Sequence, residues 1–317
     1  MKKPIVIVIA GPTASGKTSL SIEIAKKIGG EIISADSMQI YQDMNIGTAK
    51  ITEEEMQGIP HYMISCVKPN ERFSVADFQR EAMQIIDDII QRGKNPIVVG
   101  GTGLYIDSLI YETEFHEEET NMDYRRFLEE RVEKEGLEIL AKEAEAIDSE
   151  AMKKISHNDK KRILRILEIY KQTGKTKTEL DIESRKKEKK YRYIVFAIDL
   201  QRDMLYKCIN DRVDIMLQQG LIQEVESLRK KYHTFPTAMQ GLGYKEVVQY
   251  LNKEITQEEM IEKIKQETRR YAKRQLTWFR KNKEIIWLDG LRKQQDNVNI
   301  ICEKIKEEGM MDRGGEQ

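Results

Sequence analysis

The segment Gly11-Pro12-Thr13-Ala14-Ser15-Gly16-Lys17-Thr18 constrains this chain more than any other. It fits G-x-x-x-x-G-K-[ST] at every fixed position. It lies between a continuous apolar run, Ile5 to Ala10, and a stretch with helical spacing at Leu20, Ile24 and Ile28. That is the strand–turn–helix context the motif demands. Glycines let successive backbone N–H groups turn inward around an anion, and the following helix N-terminus adds a favourable dipole. Lys17 supplies mobile positive charge for terminal phosphates, and Thr18 a hydroxyl for Mg²⁺. A phosphate-bearing substrate at a nucleotide-binding type of loop follows from this pattern; ATP itself does not.

The elements around the loop set the fold class. Ile5 to Ala10 reads as a strand buried on both faces of a parallel sheet. Glu31 to Ala35 and Pro96 to Val99 read as further strands, and Val75 to Arg92 as a helix with apolar positions Phe78, Met83, Ile86, Ile89 and Ile90. Residues 113–190 hold no convincing strand and no proline, and their apolar spacing is helical (Phe127, Leu128, Val132; Ile163, Ile166, Leu167, Tyr170). A strand returns at Tyr193 to Leu200, followed by helices over 203–231, 243–251, 257–283 and 296–308 and a frayed tail from Met310 to Gln317. The expectation is an α/β protein. A P-loop parallel sheet core with helices on both faces is built from 1–112 and 191–317, and an all-helical insertion domain from 113–190.

Composition narrows the class. Of 317 residues 34% are charged, and the mean hydropathy is −0.60. No apolar run approaches the roughly 18–20 residues of a membrane span. The Met1-Lys2-Lys3 start imitates a signal peptide, but its apolar stretch ends after six residues at Gly11-Pro12,. Cys66, Cys208 and Cys302 are odd in number and share no short spacing, which argues for a reducing, cytoplasmic setting and against a thiolate zinc site. The net charge of −1 hides segregation: Tyr111 to Glu150 carries 15 acidic and 5 basic residues, Lys153 to Arg192 15 basic and 6 acidic, and Lys263 to Lys283 9 basic and 1 acidic. Such stretches suit a polyanion if they share a face, or neutralise neighbouring acidic helices if they do not.

Two further features carry chemistry. The strand Ile32-Ile33-Ser34 runs into Ala35-Asp36-Ser37-Met38-Gln39, which puts a carboxylate at the C-terminal edge of the sheet, where open α/β sheets bind ligands,. Asp36 there can hold Mg²⁺, position a hydroxyl or take a proton; an Asx-turn or helix cap is the competing reading. The one Walker-B-like aspartate, Asp199, arrives only after the insertion. Aromatic and basic residues interleave in Arg269-Arg270-Tyr271, Lys273-Arg274 and Trp278-Phe279-Arg280, as in a phosphate track with stacking platforms, although part of this helix must be core,.

Taken together, several blocks resemble the tRNA dimethylallyltransferase family. They are Gly11 to Thr18, Asp36 to Tyr41, Asn45 to Lys50, Ile59-Pro60-His61, Phe73 to Phe78 and Gly100 to Tyr105. Asn158-Asp159 with Arg162 and Arg165, Gly243 to Glu246 and Lys273 to Arg280 continue the series. The resemblance runs nearly end to end in the family's order. It implies transfer of a dimethylallyl group from dimethylallyl diphosphate to N6 of the adenosine 3′-adjacent to the anticodon, in tRNAs reading codons that begin with U. It implies that Gly11, Pro12, Thr13, Ala14, Ser15, Gly16, Lys17 and Thr18 hold the diphosphate, with Mg²⁺ at Thr18. Arg202 matches a diphosphate-binding arginine, and Asp36 the acceptor of a hydrogen bond or proton from N6. The tRNA contacts implied are Asp36, Ser37, Met38, Gln39, Thr102 and Arg125, then Lys161, Arg162, Ile163, Leu164 and Arg165. Gln240, Gly241, Gly243, Tyr244, Lys273, Arg274, Gln275, Trp278 and Arg280 complete them. The insertion resembles the arm that grips the anticodon stem, and a monomer is expected.

Some positions depart from the family. A second histidine and a later aspartate are replaced by Tyr62 and Ser65, and the usual prolines near Asn158-Asp159 by His157 and Lys160. The C-terminal zinc finger of vertebrate and yeast members has no counterpart. Three other readings compete. A small-molecule kinase explains the phosphate loop but not the basic stretches; an adenylate isopentenyltransferase needs no basic arm; a non-catalytic RNA-binding protein needs no phosphate loop.

Overall fold

A computed structural model describes residues 3–113, 115, 122–186 and 188–309. The tail from 310 to 317 lies outside the described residues. Contacts divide the chain into two compact units, 1–110 with 190–317, and 111–189. The first unit begins β1 (Ile5–Ala10), α1 (Lys17–Ile28), β2 (Gly30–Ser34), α2 (Glu53–Met56), β3 (His61–Tyr62), α3 (Val75–Gln91), β4 (Asn95–Gly100) and α4 (Gly103–Ile110). The second unit is helical: α5 (Met122–Glu135), α6 (Leu137–Ile147), α7 (Ser149–Met152), α8 (Lys160–Thr173) and α9 (Lys177–Lys186). The first unit resumes with β5 (Arg192–Asp199), α10 (Arg202–Gln218), α11 (Leu221–Lys231), α12 (Tyr244–Leu251), α13 (Gln257–Phe279), β6 (Ile286–Asp289) and α14 (Gln294–Glu307).

All six strands are parallel, in the order β3-β2-β4-β1-β5-β6. The phosphate loop thus leaves the sheet between β4 and β5. Alternation along β1 explains why its sequence is apolar throughout. Ile7 and Ile9 join a cluster with Leu20, Ile22 and Ile24 of α1 and Val298 and Ile301 of α14. Val6 and Val8 point the other way and are equally buried,. Both faces of the strand are therefore covered. Where one helix is expected over 203–231, the chain breaks into α10 and α11 at Gly220, whose φ of 100° an L side chain rarely adopts,. The edge strands β3 and β6 are additions to the sequence reading.

In the second unit α6 packs on α8 and α5 around Leu128, Leu140, Ala141, Ala144, Ile163, Leu164 and Leu167. No helix among the described residues is long and apolar enough to cross a membrane.

Candidate active site

β1 ends at Ala10 and α1 begins at Lys17, so residues 11–16 form the turn. Gly16 caps α1 in the left-handed conformation, no side chain bonds the first-turn N–H groups, and no acidic residue occupies that turn. A helix start with neither usual partner leaves its donors and dipole for an anion. Within the loop, the Ser15 hydroxyl and the Lys17 ammonium both donate to the Pro12 carbonyl, at 2.8 and 2.6 Å. Burial pushes the Lys17 pKa down to about 7, the neighbouring positive charge of Arg212 adds to this, and Asp36 opposes it. Arg212, on α10, is itself lowered by burial and drawn the other way by Cys208 and Asp36. An arginine stays protonated at neutral pH, so this edge of the sheet holds a permanent cation beside a titratable one.

Asp36 leaves the end of β2. One carboxylate oxygen accepts from the backbone N–H of Met38 at 2.9 Å and of Gln39 at 3.3 Å. The Asx-turn is thus real, and it orients the carboxylate without using its second oxygen. The loop after β4 packs against this turn. A Cβ on Gly100 would lie 2.2 Å from the Ala35 carbonyl oxygen, so only glycine permits the approach,. Ala35 accepts from the Thr102 N–H at 3.2 Å, and the Ser37 N–H donates to the Thr102 hydroxyl at 3.0 Å. On α13, burial and then the charge of Asp36 push the Tyr271 pKa up to about 12.

The remaining sequence candidates divide into three groups. Lys161, Arg162, Arg165, Gln240, Lys273, Arg274 and Arg280 are exposed, and Arg280 reaches Asp199 at 3.4 Å. A second group is spent on the fold. The Gln39 amide bonds Ser34, Thr48 and Ala49. Gly241 closes on Met38, and the Tyr244 ring fills the space over Gly47 while its hydroxyl donates to Glu224 at 2.6 Å. Gln275 is buried and Trp278 donates to Asp107 at 2.8 Å. Arg125 bonds Glu168 at 2.9 Å and Glu129 at 3.0 Å within the helical unit.

The third group requires correction. Ile163 and Leu164 are 0% exposed in the core of the helical unit, and Tyr244 is 0% exposed in the sheet unit. None of these side chains can meet RNA in this fold. The resemblance implied whole segments, whereas a helix turns every third or fourth residue of a segment inward.

Arg202 is exposed and stacks over Tyr206 at 5.1 Å, with Arg269 on the same ring at 5.9 Å. The arginine that acts electrostatically on Lys17 is instead Arg212, which the sequence reading omits. A signal for it existed. Leu205, Ile209 and Arg212 occupy one helical stripe, whose first two members pack with Ala14 of the phosphate loop,. A charge at a core-facing position is the pattern to seek.

A family model described as IPP transferase matches residues 39–282. A tRNA dimethylallyltransferase of Acetivibrio thermocellus is 50% identical over 302 residues, covering 95% of this chain and 96% of that protein. One from Halothermothrix orenii is 47% identical over 307 residues, covering 96% and 94%. Among solved structures, tRNA delta(2)-isopentenylpyrophosphate transferase of Staphylococcus epidermidis matches with TM-score 0.71 and 44% identity, over 96% of this chain and 100% of that one. A eukaryotic dimethylallyltransferase studied acting on tRNA matches with TM-score 0.78 and 32% identity, over 96% and 80%.

Proposed function

The chain belongs to the IPP transferase family, and on that premise we infer that Lys17, Arg212 and Asp36 carry its prenyl transfer. The protein is a prenyltransferase that moves a dimethylallyl group from dimethylallyl diphosphate to the adenosine immediately 3′ of the anticodon in tRNA. The observation that supports the residue roles is the convergence of Arg212 and Asp36 on Lys17, which they push in opposite directions.

The chemistry asks for that set. The exocyclic N6 amine is a poor nucleophile, because its lone pair is delocalised into the ring. As it attacks C1 of the allylic group, the C1–O bond breaks and its electrons pass to the departing diphosphate. Lys17, Arg212 and the free N–H groups at the start of α1 stabilise that charge, usually the largest catalytic contribution,. The proton lost by N6 passes to the Asp36 oxygen that the Asx-turn leaves unused. The base must leave its stack to reach this edge, at a cost of a few kcal/mol.

Reactions of this class generally use a divalent cation, and we assign it to Mg²⁺ at Thr18. Among the described residues no group of three or more carboxylate, histidine or cysteine side chains could hold a metal. The exposed Thr18 hydroxyl beside a phosphate loop fits a hard cation bound chiefly through substrate oxygens, which would neutralise charge on the diphosphate,. For tRNA we assign phosphate contacts to Lys161, Arg162 and Arg165 of the helical unit and to Lys273 and Arg274 of α13, all exposed.

The test is transfer of label from dimethylallyl diphosphate to unmodified tRNA, with free AMP and ATP as parallel acceptors. Label on tRNA that disappears when the target adenosine is changed supports the reading. Label on AMP alone places the chain with the adenylate isopentenyltransferases. Full turnover by Asp36→Ala would remove Asp36 from the proton transfer.

A further inference from the structure

Helix α13 presents opposite chemistry at adjacent positions. Lys273 and Arg274 are exposed, whereas Gln275 is 6% exposed. Both ends of its amide are bonded, each to the backbone of a different loop. The Thr13 N–H donates to Oε1 at 3.0 Å, and Nε2 donates to the Gly101 carbonyl at 2.8 Å. The fit is close: a Cβ on Gly101 would lie 2.2 Å from Nε2 and 3.2 Å from the Gly11 carbonyl oxygen. One turn after Gln275 the Trp278 ring covers Gly103.

Packing alone does not account for an amide here, because methionine or leucine fills similar volume without a desolvation cost. A buried amide is favourable only when its donor and acceptor are both satisfied. The partners that satisfy Gln275 are the phosphate loop and the loop whose Thr102 holds the Asp36 turn. A Thr13 N–H that donates to Gln275 is not turned toward an anion, so this side chain selects which N–H groups of residues 11–18 face the diphosphate.

We propose that Gln275 is a positioning residue for prenyl transfer, fixing the phosphate loop against the Gly101–Thr102 loop without touching either substrate. The proposal rests on the reading that residues 11–18 hold the donor diphosphate.

The test uses Gln275→Met and Gln275→Glu in the full chain. Three quantities are measured: steady-state constants for both substrates, tRNA binding by filter retention, and amide hydrogen exchange across residues 11–18. For Gln275→Met the KM for dimethylallyl diphosphate rises about tenfold, as expected for one or two lost hydrogen bonds. The tRNA dissociation constant stays within twofold and exchange at Thr13 accelerates. Gln275→Glu retains an acceptor for the Thr13 N–H, so Thr13 stays protected while the Gly101 bond is lost. The proposal is overturned by Thr13 exchange that is unchanged in the methionine variant, or by a donor KM within twofold of the parent. Donor and tRNA affinities falling together would also overturn it, since that marks general loosening of α13. If the unaltered chain binds no dimethylallyl diphosphate, the reading of the loop fails and takes this inference with it. A normal parent with an indifferent Gln275→Met defeats the inference alone.

Discussion

Lys17 is a proton acceptor waiting for an anion. Its pKa is pushed down to about 7 by burial and by the like charge of Arg212. The sign follows directly: the lowered value leaves the amine charged below pH 7 and largely neutral above it. A bound diphosphate favours the ammonium and raises the pKa. Binding of dimethylallyl diphosphate at about pH 8 therefore takes up close to one proton, and at about pH 6 Lys17 contributes almost none. Titration calorimetry in buffers of different ionisation enthalpy reads this number directly, and Lys17→Met should abolish the difference between the two pH values. Equal uptake by the variant would assign the proton elsewhere. The same cluster separates two arginines. Arg212 acts on Lys17 and is itself drawn upward by Asp36, whereas Arg202 is exposed over Tyr206. Arg212→Gln should raise the KM for dimethylallyl diphosphate by at least about tenfold, several times the effect of Arg202→Gln, because a charge in a desolvated site is worth more than one in water. A larger effect at Arg202 would return the diphosphate contact to that residue.

At the scale of elements, what the sequence disclosed was what is local. The run Ile5 to Ala10, the glycine turn and α1 are contiguous, so periodicity and motif read them together, and Asp36 follows from its place after β2. β3 and β6 span 2 and 4 residues; strands that short carry no alternation to detect and exist because β2 and β5 offer them an edge. Arg212, and the inward direction of Gln275, were hidden for a different reason. Each belongs to a helix whose composition names the exposed face, and only tertiary packing shows which residues turn inward. α8 makes the same point with a measurable consequence. Lys161, Arg162 and Arg165 are exposed, while Leu164 is fully buried. Leu164→Ala should destabilise the helical unit by about 2–5 kcal/mol, the usual cost of truncating a core leucine, and lower its thermal midpoint. Arg162→Ala should leave that midpoint unchanged. A Leu164→Ala protein that melts like the parent would contradict the buried assignment.

For the whole molecule, a net charge of −1 is compatible with binding a polyanion because many of its charges are already spent on each other. In the acidic stretch, Arg131 bonds Glu135 and Glu143, and Arg125 bonds Glu129 and Glu168. In the basic stretch, Lys175 pairs with Glu183 and Lys177 with Asp181. Counting basic residues therefore overstates the charge available to RNA, and the assignment rests on the exposed Lys161, Lys273 and Arg274 together with Arg162 and Arg165, exposed cations whose pairs with Asp159 and Glu168 are longer, at 3.4 and 3.5 Å. Each cation that neutralises a phosphate releases condensed counterions, which makes affinity fall linearly in log–log form with salt. The slope is about −0.7 to −0.9 per contact. Removing Lys161 and Arg162 together should lower the magnitude of the tRNA slope by roughly 1.4 to 1.8 and weaken binding most at low salt. Arg131→Gln is the matched control, since its guanidinium is bonded to two carboxylates and is not available to neutralise a phosphate,. Filter binding between about 50 and 200 mM salt resolves a change of that size. An unchanged slope in the double variant, or an equal change in Arg131→Gln, would show that Lys161 and Arg162 do not neutralise tRNA phosphates.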